Sequence, residues 1–154
     1  MERSAAEANK ALVREIIDEC LNKGNFEAAT GRFAGDYTIH LPSQTHMPSG
    51  PGVFQHMITM WRTAFPDWHM RVEEMVAEGE FVANRFTTTG THDGMLMGIP
   101  PTGKQMVVRG QEMHRVVDGQ VAATWVCDDL PSILVQLAVL PRPPIAPPQG
   151  EVVS

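Results

Sequence analysis

The sequence predicts an α+β domain in which helices come first and an antiparallel sheet follows. Three observations predict it. Apolar residues recur at helical spacing before Gly24 and again over 53–65, strand-like alternation takes over from Trp68 to Cys127, and turns rather than helices separate those later strands. A chain of 154 residues with 43% hydrophobic and 19% charged residues has the size and composition of one folded domain. Residues 1–140 are expected to form it and residues 141–154 a flexible, proline-rich tail.

The elements follow in order. Ser4 and Glu7 have capping-box spacing, and Leu12, Val13, Ile16, Ile17, Cys20 and Leu21 form one helical face that Gly24 stops. A short second helix is expected over 26–33. Tyr37, Ile39 and Leu41 then alternate with Asp36, Thr38 and His40 as in a strand, which Pro42 ends. Val53, Phe54, Met57, Met60, Trp61, Ala64 and Phe65 make the stripe of a third helix terminated by Pro66. Turns at Glu78-Gly79 and Asp118-Gly119 divide the remainder into two hairpins joined by the Gly-, Pro- and Met-rich loop "DGMLMGIPPTGK". Asp129 is placed to cap a closing helix over "PSILVQLAVL". A sheet that curls over its helices leaves a pocket between the layers, and function is to be sought there.

Charge and composition exclude several classes. A net charge of -6, with 12 basic residues scattered along the chain, offers no stripe for a phosphate backbone, so nucleic acid is not an expected partner. No apolar run reaches the ~20 residues that span a bilayer, and "MERSAAEANK" lacks the apolar centre of a signal peptide, so a cytoplasmic protein without a membrane partner is expected. Cys20 and Cys127 read as two separate buried thiols. The six histidines show no HxH or HxxxH spacing, and no paired cysteines accompany them, so no metal site is expected.

The stretch "RGQEMHRVVDGQVAATWVCDDLPS" carries Glu112, His114 and Asp128 among apolar neighbours. Parity puts Met106, Val108, Gly110, Glu112, His114 and Val116 on one face, the expected interior, and both arginines on the other. Two hairpin registers are open. A two-residue loop sets Glu112 beside Trp125. A three-residue loop with a bulged Gly119 sets it beside Thr124 and puts Glu112, His114, Thr124, Val126 and Asp128 on one face.

The segments "TAFPDW", "VANRFTTTGTHDG", "MGIPPTGK" and "RVVDGQV", followed by Trp125, Asp129 and Gln136-Leu137, resemble the SnoaL-like polyketide cyclases of the nuclear transport factor 2 superfamily over about residues 10 to 140. The resemblance implies a cone-shaped, strongly curved antiparallel sheet wrapped around the N-terminal helices, a homodimer, no metal and no organic cofactor, and the bulged register. It also implies an acid in the last strand where this chain has Val126, with Glu112 where the cyclases hold a pocket histidine. Asp128 is a substitute acid on the same face. Epoxide hydrolases of this shape use an Asp-Arg-Asp set. Here Arg85 matches the arginine, but Thr87 and Val126 stand for the acids, which argues against hydrolysis.

These readings nominate Glu112 as general base, His114 as its proton partner, Asp128 as a second acid, and Arg85 as a carboxylate partner or carbonyl polariser. Met57, Trp61, Phe65, Met95 and Met97 are candidates for a greasy wall, with Thr87, Thr124 and Val126 beside them. His40 is a candidate for the pocket mouth, or else a solvated strand histidine. The expected function is a cofactor-independent cyclase or isomerase acting on a hydrophobic, carbonyl-rich small molecule of secondary metabolism. A pocket that templates ring closure or hydroxylation, and a carrier of a lipid-like ligand, are the alternatives.

Overall fold

The computed structural model describes residues 4–42, 44, 46–142 and 144. Helix α1 (Ala5–Glu15) starts where Ser4 Oγ accepts the Glu7 N–H at 3.2 Å, and runs on as a wider π-helical coil over Ile16–Asn22. A single 3-10 turn (Phe26–Ala29) stands where a second helix was expected, and Phe33 already belongs to strand β1 (Phe33–His40). Then come α2 (Pro51–Ala64), β2 (His69–Glu78), β3 (Phe81–Thr91), β4 (Gln105–Val117), β5 (Gln120–Cys127) and α3 (Leu130–Gln136). Asp129 Oδ1 accepts the Ser132 N–H at 3.0 Å, capping α3, which is shorter than the apolar run suggested. The first hairpin turns one residue later than expected, at Gly79-Glu80 between the paired Glu78 and Phe81. The proline-rich tail falls almost entirely outside the described residues.

The fold is α+β. Its five-stranded sheet has the order β1-β5-β4-β3-β2, and β2 to β5 form the expected antiparallel meander. The sheet is nonetheless mixed, because β1 docks parallel to β5. Helical residues intervene between β1 and the meander, so β1 is free to enter in either direction, and local sequence does not choose.

The main core packs Leu12, Val13, Ile16, Ile17, Cys20 and Leu21 from the first helix against β1, α2 and the inner sheet face. A second cluster gathers Ala64, Phe65, Leu96, Met106, Val108, Ile133 and Leu137. Polar side chains lock the frame between them. Arg62 Nη1 donates to the carbonyls of Leu21 and Asn22 at 2.8 Å each, closing the end of the first helix onto α2. Asn22 pairs with the main chain of Met70 through both halves of its amide, at 2.7 and 2.9 Å, and so ties the same helix end to β2.

The loop between β3 and β4 is anchored as firmly. The N–H groups of Asp93 and Gly94 both donate to the Ala64 carbonyl at 3.1 Å, and a Cβ on Gly94 would lie 1.9 Å from the Thr63 carbonyl oxygen. Only glycine permits that approach. His92 is fully buried beneath it, its Nδ1 accepting the Thr102 N–H at 3.2 Å. No helix among the described residues is long and apolar enough to cross a membrane.

Candidate active site

The hairpin register builds the site. Asp118 and Gly119 both adopt left-handed backbone (φ 49° and 74°), a two-residue loop that pairs Val117 with Gln120. The ladder then slips: Val116 faces Val121, but Arg115 faces Ala123, so Ala122 is the extra residue of a bulge on β5. Neither expected register is the real one. The bulge lies in the strand rather than in the turn, and Glu112 comes to face Val126. Its parity is still that of the bulged alternative. Glu112, His114, Thr124, Val126 and Asp128 therefore share the inner face and line a common cavity of about 280 Å³.

On that face three side chains form a chain. His114 Nε2 lies 3.1 Å from Glu112 Oε2, and His114 Nδ1 lies 3.0 Å from Thr124 Oγ1. An ionised carboxylate only accepts, so Nε2–H donates to Glu112; a neutral imidazole then accepts the threonine hydroxyl proton at Nδ1, and a protonated one donates to the hydroxyl oxygen instead. Asn84, paired with Glu112 across the β3–β4 ladder, adds a long bond from its Nδ2 to the same Oε2 at 3.4 Å. Both bonds converge on Oε2, and Oε1 has no bond among the described residues. Glu112 and His114 are each 9% exposed, and Thr124 is 5% exposed. A carboxylate this buried must be held by such partners.

Two further ionisable groups border the chain. Tyr37, brought in by β1, is wholly buried, and its hydroxyl finds no hydrogen bond of good geometry among the described residues. Burial pushes the phenol well above its usual range; the nearby Thr124 hydroxyl offsets part of this, and the Glu112 charge adds to it. Asp128 follows the end of β5. Burial raises its carboxyl above the ordinary carboxylate range, and the charges of Glu112 and Asp129 raise it further.

The rest of the cavity is mainly apolar, walled by the helical residues Ile17, Leu21, Phe54, Met57 and Trp61 and by Phe86 and Val108 of the sheet, with the polar Gln44, His56 and Thr88 also on it. Of the nominated wall residues, Met57, Trp61, Met97, Thr124 and Val126 line it. Five nominated residues lie elsewhere. Arg85 is on the outer face of the sheet, where Nε and Nη2 each bond Glu74 at 3.1 Å, and it does not line this cavity. Thr87, on the same outer parity, donates to Glu73 at 2.7 Å. His40, the last residue of β1, is exposed on the outer face of the sheet, stacked on its ladder partner Trp125 with ring centroids 5.2 Å apart. Phe65 is buried behind the wall in the second core cluster, and Met95 is 54% exposed away from the cavity. Cys127 is exposed rather than buried, whereas burial pushes the Cys20 thiol up to about 11.

Sequence reasoning missed Asn84, Tyr37, Trp68 and Thr88, all of them bordering the cavity or its carboxylate. A signal existed for two. Val82 and Phe86 mark the even positions of β3 as the inner face, which carries Asn84 and Thr88 inward and Arg85 and Thr87 outward. Among the described residues, no group of three or more His, Cys, Asp or Glu side chains is disposed to hold a metal ion.

A five-stranded sheet with helices packed on its inner face leaves between the layers a mainly apolar cavity with the hydrogen-bonded Glu112 carboxylate on its wall, the kind of concave site that small molecules occupy. Residues 11–137 match the SnoaL-like polyketide cyclases, and the chain belongs to that family. It is 29% identical over 115 residues to the aklanonic acid methyl ester cyclase DnrD of Streptomyces peucetius, covering 71% of this chain and 77% of that one. Among solved structures, AclR of Streptomyces galilaeus, a provisionally assigned hydroxylase, superposes with a TM-score of 0.76 at 29% identity, covering 88% of this chain and 84% of that one. A SnoaL-like protein from Jannaschia sp. CCS1 shares the fold with a TM-score of 0.82 at 22% identity, over 92% of this chain and 99% of that one.

Proposed function

We propose that this chain is a cyclase that closes a ring in a hydrophobic, carbonyl-rich polyketide by general acid–base chemistry, with Glu112 as the base. One observation carries the reading: a buried carboxylate is held through Oε2 by His114 and Asn84, leaving Oε1 unbonded among the described residues on the wall of an apolar cavity. Oε1 removes the acidic proton from a carbon flanked by two carbonyls. The resulting enolate carbon attacks a second carbonyl carbon of the same molecule, forming the carbon–carbon bond, and the new alkoxide regains a proton, so substrate and product are isomers. Asp128, whose raised pKa keeps it protonated to higher pH, lines the same cavity and is the acid that supplies that proton. The Tyr37 phenol, held neutral by burial, is a donor for the enolate oxygen.

The position of Glu112 supports this. The acid that the resemblance implies at Val126 is missing, but Glu112 is the direct ladder partner of Val126, so a carboxylate stands on the same rung one strand away. The activity for which DnrD is named, cyclisation of aklanonic acid methyl ester, supports a ring closure here. A second reading, hydroxylation in the same pocket, draws support from the likeness to AclR. The same proposal has the chain work as a homodimer through the outer sheet face, where Val76, Phe81, Met113 and Trp125 are exposed.

The test is turnover of a panel of polyketide esters by wild type and Glu112→Gln, followed by mass and chromatographic retention. An isomeric product that the variant makes roughly a hundred- to ten-thousandfold more slowly supports the base. A product one oxygen heavier points to hydroxylation. Isomerisation that survives the substitution removes Glu112 from the chemistry.

A further inference from the structure

Glu112, His114 and Thr124 occupy one end of the cavity. Toward the other end Trp68 and Thr88 line the wall, and their buried Nε1 and Oγ1 have no hydrogen-bond partner among the described residues. Thr88 is only 1% exposed. Folded proteins leave few buried donors unpaired, so these two, which join the Tyr37 hydroxyl at the Glu112 end, ask for a reason.

Their placement gives one. Thr88 lies on β3 four residues beyond Asn84, the ladder partner of Glu112, so the two polar ends stand about 13 Å apart along the strand. Trp68 immediately precedes β2, where His69 pairs with Thr89 and Met70 with Thr88, which sets Trp68 diagonally from Thr88 on the inner face. Between the ends, on the same face of β3, stands the buried ring of Phe86. Beside Trp68, Trp61 of α2 extends the aromatic surface, the two rings 5.5 Å apart. The arrangement is an apolar slot with a carboxylate at one end and hydrogen-bond donors at the other.

We propose that Trp68 and Thr88 form a second polar subsite, which binds an acceptor oxygen at the far end of a flat substrate whose reacting carbons lie against Glu112. An indole N–H only donates, so the group bound there must accept. No Lys or Arg lines the cavity among the described residues; of its two histidines, His114 is engaged by Glu112 at the other end and His56 is on an exposed position of α2, so no fixed cation stands there to neutralise an anion. The subsite therefore takes a neutral ring carbonyl or phenolic oxygen rather than a carboxylate. It selects substrates that are oxygenated at both ends of an aromatic or extended polyketide body, and it fixes which of their carbonyls meets the base. This deepens the reading of Glu112 as base and rests on it for the other end of the slot.

Two probes separate the parts: a naphthyl butanedione bearing a hydroxyl on its far ring, and the same compound without the hydroxyl. Calorimetry gives each dissociation constant. Nuclear magnetic resonance in deuterium oxide gives proton exchange at the carbon between the two carbonyls. Wild type is expected to bind the hydroxylated probe about five- to tenfold more tightly than its parent. Trp68→Phe and Thr88→Val, which keep ring and shape, are each expected to reduce that ratio to about twofold or less, and Thr88→Ser to restore it. Glu112→Gln is expected to lose the accelerated exchange while keeping the hydroxyl preference. A preference in wild type without accelerated exchange would sink the base and support the subsite. No hydroxyl preference in wild type, including no binding of either probe, or a preference untouched by both Trp68→Phe and Thr88→Val, overturns the subsite.

Discussion

Thr124→Val isolates the least obvious member of the buried chain. Valine has the shape of threonine, so the change removes one hydroxyl and little else. That hydroxyl lies 3.0 Å from His114 Nδ1 at a position 5% exposed, where no water replaces it cheaply. Losing a buried hydrogen bond and leaving its partner unpaired costs on the order of 1 to 3 kcal/mol. In a chain of this size that corresponds to a fall in melting temperature of roughly 2 to 12 °C. The imidazole, no longer held at Nδ1, is free to present either tautomer to Glu112. Turnover should drop about tenfold, equivalent to ~1.4 kcal/mol of positioning, well short of the loss expected for Glu112→Gln. Thr124→Ser should recover most of both losses. Because the two residues act through one chain, the double substitution with Glu112→Gln should be little slower than Glu112→Gln alone. Thermal unfolding followed by circular dichroism and initial rates at several pH values supply the numbers. If Thr124→Val keeps wild-type melting and wild-type turnover within about twofold, the hydroxyl does not hold the histidine and the chain is misread.

Two other outcomes follow from the same geometry. Because the folded-state pKa of Asp128 is raised, by burial first and then by the Glu112 and Asp129 charges, the native state keeps its proton to higher pH than the unfolded chain does. Stability from this group is therefore greatest below the unfolded carboxylate value and declines as pH rises through the folded one, so Asp128→Asn should be more stable than wild type near neutrality. That advantage should vanish near about pH 3, below both values, and urea unfolding at the two pH values checks it. Arg85→Ala should leave turnover within about twofold of wild type, because its partner Glu74 and both of its bonds lie outside the cavity on an exposed surface. A large loss of activity in that variant would return Arg85 to the site.

Much of this was legible along the chain. Period and punctuation marked the helical stripes, the meander and the Asp129 cap, because capping and alternation are local effects of side chain on backbone. Strict alternation on β4 told that Glu112 and His114 face inward together, and they do. The failures were failures of register and of distance. Arg85 looked attractive as a partner for Glu112 because opposite charges invite pairing, yet strand parity sends its side chain through the other face of the sheet. Phe65 sat in the right helical stripe, but a stripe does not say which of its members touch the cavity and which fill the layer behind it.

The sequence by itself therefore determined the α+β class, the elements, the inward parity of β4 and the presence of a carboxylate and imidazole on an apolar face. Tertiary structure alone decided the bulge at Ala122, which sets Glu112 opposite Val126, and the parallel docking of β1, which delivers Tyr37 to the same cavity. It alone also placed Trp68 and Thr88 toward the far end of the slot. The division has one cause. Periodicity and capping are enforced within a few residues, whereas a strand slips by one rung or enters from either direction according to packing against segments tens of residues away, and that choice moves a side chain from solvent to site.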